Sequence, residues 1–128
     1  MSDEYVHRYS AEAIDAFDAV GEQVMDIGAV PAIEIIQTVV LHLMSAAAVY
    51  LGLGEGENAA EQLDLSEARK LIEALAGLVT AAAPDLGDHH ARPIRDGLRT
   101  LQLAFREASP FPDAPGKGPG EKYTGSVI

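Results

Sequence analysis

Four of the nine basic residues lie close together, at Arg92, Arg95, Arg99 and Arg106. With Gln102 between the last two, they advance by three, four, three and four residues, the spacing that holds side chains on one face of a helix. A guanidinium presents its N–H donors in a planar fork, so a face of this kind suits carboxylates or phosphates. Lys122 and Tyr123, near the C-terminus, complete the candidate partner-binding set. The same face is also compatible with simple solvation, or with pairing against the acidic residues between Glu12 and Asp26. No aromatic residue interleaves the arginines, so any contact with RNA is expected to reach phosphates only.

Other residue types offer less. His89 and His90 are neighbours, and adjacent side chains on a helix point about 100° apart, so the pair cannot easily grip one metal ion. The Glu-x-x-His spacing used by di-iron bundles occurs only at Glu4 and His7. The chain has no cysteine, which excludes disulfides, thiolate zinc sites and cysteine nucleophiles. No glycine-rich phosphate loop follows a strand, and no serine, histidine and aspartate fall in a recognisable catalytic pattern. Neither catalytic residues, a metal nor a cofactor is expected, and the chain reads as a non-enzyme. The alternative is a small enzyme or ligand-binding bundle with a pocket near His42, Glu34 and His89.

These side chains need elements to position them, and the most apolar is Pro31 to Leu53. Proline suits a first helical turn, and Gly52 and Gly54 supply a stop. The intervening residues span roughly 34 Å at 1.5 Å rise per residue. Only Glu34, Thr38, His42 and Ser45 form a polar stripe, so a buried central helix is expected. A membrane span is disfavoured, because His42 and Ser45 interrupt the apolar run and no lysine or arginine flanks it.

An amphipathic helix is predicted over 11–26, with Ile14, Phe17, Gly21 and Val24 on one face. A third helix is predicted from Leu65 to Ala83, opened by Asp64 and Glu67 in a capping arrangement and closed by Pro84. Its outer face carries Arg69 and Glu73 as an i,i+4 ion pair. Asp88 is a candidate N-cap for the last helix, clear from Ile94 to Ala108 with Ile94, Leu98, Leu101 and Phe105 as its seam. Prolines and glycines then crowd 109–128, and no helix is expected there. That segment is read as a flexible, extended tail, docked if at all through Phe111 and Tyr123. Its closing Ser126-Val127-Ile128 also resembles a terminal peptide that adds to a sheet edge.

The fold class is therefore all-α: a small antiparallel bundle of three to four helices over 11–108, a frayed start at 1–10, and the tail. Alanine clusters at 46–48 and 81–83, with Gly77 and Gly97, are expected to let helices approach closely. Three shorter helices do not cover one as apolar as 31–53, so a homodimer is expected. With 20 acidic residues and a net charge of −11, general nucleic-acid binding and sequence-specific DNA binding are disfavoured. The start MSDEYVHRYS shows no secretory signal, and the cytoplasm is the expected compartment.

The runs LHLMSAAAVYLGL, LDLSEARKLIEALAGLVTAAAP, HHARPIRDGLRTLQLAFREASP and PGKGPGEKYTG resemble the bacterial family known as domain of unknown function 1844, in its actinobacterial form. The resemblance covers about Ile27 to Thr124. It rests on the apolar helix, the opening Asp64, Ala68, Arg69, Leu71 and Ile72, and the closing Leu101 to Glu107. It implies a small helical cytosolic protein without an established activity. It also implies an association with translation genes, including that of initiation factor three, and so a partner that is a protein or a ribonucleoprotein.

Overall fold

The computed structural model describes residues 28–128, so the expected frayed start and the helix predicted over 11–26 lie outside the described residues. Helix α1 spans Ala32–Tyr50, α2 Leu65–Leu86, α3 Asp88–Ala108 and the short α4 Glu121–Thr124. A 3₁₀ turn at Ala59–Gln62 lies between α1 and α2. No strand occurs among the described residues, and three long helices pack against each other as an all-α bundle.

Gly52 ends α1 in the way its sequence position suggests. It takes a φ of +76°, its N–H donates to the Val49 carbonyl and the Leu53 N–H to that of Ala48. This double closure satisfies carbonyls that the last helical turn would otherwise leave free. The chain then loops back, and the Asp64 N–H reaches the Tyr50 carbonyl at 2.8 Å. Asp64 caps α2 by accepting from the Glu67 N–H at 3.1 Å.

Both interior prolines were expected at helix boundaries, and both sit inside helices. Pro84 deprives only the Thr80 carbonyl of its partner, and Pro93 only that of His89. Thr80 and His89 are both exposed, so water can replace the missing bond. α2 therefore runs on to Leu86, and α3 begins at Asp88 with Gly87, φ +77°, in the cap position expected for Asp88.

Arg69 stacks over Phe105, while Val79 and Leu98 line one cleft, so α2 and α3 run antiparallel. On the other side Gln37 meets His90 across 53 residues, and Met44 lies on Gly97 with the same offset, so α1 runs parallel to α3. Gly97 thus accommodates the Met44 side chain, where the sequence had suggested close contact between helix backbones.

The core is centred on α2, not α1. Ala68, Ile72, Leu75, Ala76, Val79, Ala82, Ala83 and Leu86 are buried on α2, against only Val40 and Ala47 on α1. The expectation of a buried central helix at 31–53 is corrected here. The polar stripe Glu34, Thr38, His42 and Ser45 faces outward as expected, but Val39 and Leu41 beside it are 45% and 61% exposed. Among the described residues, α2 and α3 bury one line of α1 at Val40 and Ala47 and half-bury Ile33, Ile36, Leu43, Met44 and Ala48 beside it, leaving the opposite side exposed. By length and composition α1 is apolar enough to cross a membrane, with a mean hydropathy of 1.7 over an 18-residue window of which 11% is buried.

Candidate anion-binding cleft

Residues 109–128 do not run out as an extended segment. They fold back across α2 and α3, and the helix that the proline and glycine content seemed to forbid forms at Glu121–Thr124. Glu121 organises the turn. The residue is 7% exposed, and its carboxylate accepts the N–H groups of Gly116 and Gly118 at 3.0 Å and of Val127 at 3.3 Å. Three backbone donors around one carboxylate replace the hydrogen bonds that regular secondary structure would have supplied.

Side chains of the bundle hold this turn in place. Glu73 accepts the Gly120 N–H at 2.7 Å and pairs with Lys122 at 3.2 Å. The Gly120 N–H, and then Lys122, hold the Glu73 carboxyl below its usual range, while Glu73 raises Lys122. Gln102, 3% exposed, donates to the Pro119 carbonyl and to Thr124 Oγ1. Gly120 takes a φ of +76° against α2, where a Cβ would stand 2.6 Å from that of Ala76. Asp113 is gripped twice, by Arg69 on its carboxylate and Arg106 on its carbonyl, each at 2.8 Å. The ion pair expected between Arg69 and Glu73 is absent because each side chain finds its partner in the C-terminal segment.

Tyr123 lies over Gly77, whose missing side chain leaves room for the phenol ring. Phe111, the other expected anchor, stands in solvent. Val127 is buried, so the terminal residues are not presented as a free peptide.

Between α2, α3 and the returning segment lies a cleft of about 320 Å³. Val79, Leu98 and Val127 supply its apolar lining, Arg95 and Arg99 its charge, and Thr80, Tyr123, Thr124 and Ser126 its hydroxyls. Of the six residues singled out from sequence, Arg95, Arg99 and Tyr123 meet here. Arg92 continues the exposed stripe one turn away, Lys122 is engaged by Glu73, and Arg106 serves the Asp113 clamp. Arg92, Arg95 and Arg99 form no ion pair among the described residues, although Asp96 flanks them on the same helix. Thr80, Gln102, Thr124 and Ser126 were not singled out as site residues. Gln102 had a signal, since it continues the arginine spacing, but the others are separated in sequence from the stripe by helices and loops.

The alternative pocket is not assembled. His89 lines a cleft of about 260 Å³ with Gln37, Leu41, His90, Pro93 and Ile94, and Glu34 and His42 are exposed outside it. No group of three metal-ligating side chains occurs among the described residues.

The fold and cleft define a class: a helical bundle whose C-terminal segment is strapped across two helices to complete a cationic cleft. A family model described as "Domain of unknown function (DUF1844)" matches residues 32–107, more than half of the chain, and the chain belongs to that family. No curated protein and no solved structure matches it. The matched region stops before the segment carrying Asp113, Glu121 and Tyr123, so the family region alone lacks one wall of the cleft.

Proposed function

We propose that the protein is a non-catalytic helical interaction module that binds an anionic partner, a protein or a ribonucleoprotein, through Arg92, Arg95 and Arg99 and the docked C-terminal segment. One observation carries this reading. Two of these exposed arginines border a preformed cleft on a strongly acidic chain, so a local cationic site persists against the net charge. Sedimentation with ribosomes tests it. Co-sedimentation is expected at low salt, weakening as salt rises and falling sharply in the Arg95→Ala, Arg99→Ala variant. Absence of co-sedimentation at low salt, or indifference to both salt and substitution, overturns it.

The module is further proposed to be a homodimer that joins through the outward face of α1. Leu41 and Val49 are exposed there on either side of Ser45, and a face that meets its own copy closes with a single two-fold axis. Light scattering at micromolar concentration is expected to give a dimer mass for the wild type and a monomer mass for Leu41→Arg. A monomeric wild type ends the dimer proposal.

A further inference from the structure

No aromatic residue lies on the arginine face of α3, whose Phe105 is buried in the seam, but the fold supplies one. Tyr123 arrives from the returning segment, 45% exposed, in the same cleft as Arg95 and Arg99. Lys122, paired with Glu73, lies with its Nζ 5.1 Å from the Tyr123 ring centroid and helps to fix the ring in place. A guanidinium row beside a cleft with an aromatic wall and an apolar lining is the combination that holds unpaired nucleotides, with phosphates on the cations and bases on the flat apolar surfaces. Along α3 the row from Arg92 to Arg99 covers roughly 10 Å at 1.5 Å per residue, enough for more than one backbone phosphate.

From this geometry we infer that the cleft seats one nucleotide of a single-stranded RNA, its base against Tyr123, with flanking phosphates on Arg92, Arg95 and Arg99. The inference rests on the anionic-partner reading above and names the partner's chemistry. The cleft, about 320 Å³, has room for a single base, and the bases of a duplex are paired and stacked, so unpaired RNA is favoured over duplex. Thr124 and Ser126 spend their hydroxyls within the segment, but the exposed Thr80 hydroxyl also lines the cleft and offers a ribose 2′-hydroxyl a partner, which favours RNA over DNA.

Fluorescence anisotropy with labelled decamers tests this on the full chain. The probes are decauridylate, its deoxy counterpart decathymidylate, a duplex of the RNA, and an abasic decamer with the same backbone. Decauridylate is expected to bind about tenfold tighter than the abasic decamer, in keeping with the contribution of one stacked base. Its log affinity should fall with log salt at a slope of about −2, for three arginines on a single strand. Tyr123→Leu should erase the advantage over the abasic probe, and Tyr123→Phe should keep it.

Equal affinity for decauridylate and the abasic decamer overturns the seated base and leaves the anionic-partner reading intact. Duplex bound as tightly as single strand, or the deoxy decamer bound as tightly as RNA, overturns the assignment to single-stranded RNA. Failure to bind any decamer, while ribosome co-sedimentation still depends on Arg95 and Arg99, removes RNA in favour of an acidic protein. Loss of both signals removes both readings. The wild-type comparison of decauridylate with the abasic probe needs no variant, so it decides even where Tyr123→Leu loosens the segment.

Discussion

Replacing Glu121 by alanine is expected to release residues 116–127 while α2 and α3 stay paired. The three backbone N–H groups that converge on this carboxylate have no other partner in the turn. Each buried donor left without an acceptor costs about 1–3 kcal/mol. The Val127 donor is buried and those of Gly116 and Gly118 half-buried, so the turn should open to water rather than remain docked. Amide hydrogen exchange reads this directly. Protection at Gly116, Gly118 and Val127 should collapse, while amides near Leu75 and Leu98 keep theirs. Glu121→Gln retains one carbonyl oxygen and should fall between. Unchanged protection in the alanine variant would show that the carboxylate is not what organises the segment.

The second large effect lies in the core. Leu75→Ala is expected to lower the unfolding free energy by about 2–5 kcal/mol, the usual range for emptying a fully buried leucine site. Leu41→Ala on α1 removes the same atoms from an exposed position and should stay within about 0.5 kcal/mol. Urea titration at dilute protein concentration, where self-association does not contribute, separates the two through their midpoints. If Leu41→Ala is the more costly, the core is centred on α1 and the arrangement described above is wrong.

The contrast between those two leucines shows what the sequence could and could not convey. Helical periodicity marks Ile72, Leu75, Val79, Leu98, Leu101 and Phe105, and all are buried. Capping chemistry marks Asp64 and Gly52, and both act as such. These signals are local, set within one or two helical turns. Which apolar helix sits at the centre is not local, because it depends on how many neighbours each can touch. Hence α1, more apolar than α2, turns out to be the less covered.

The fold of the C-terminal segment is hidden in the sequence for a related reason. Proline and glycine argue against a continuous helix, and correctly so, but a side-chain carboxylate can organise backbone donors without one. Its partners Glu73, Gln102 and Arg69 lie far back in sequence, and no spacing rule links them to Gly120, Pro119 and Asp113. For the site the consequence was specific. The stripe was legible as arginines, but the roles of Arg106 and Lys122 in holding the segment were not. Neither was the arrival of Tyr123 beside Arg95 and Arg99.

The strap also imposes an order of events on the growing chain. Everything needed to pair α2 with α3 has been synthesised by Ala108, and their contacts join residues within a single hairpin. The cleft needs Tyr123 and Val127 as well. Along the chain the arginine row is therefore complete before the residues that wall the cleft are added.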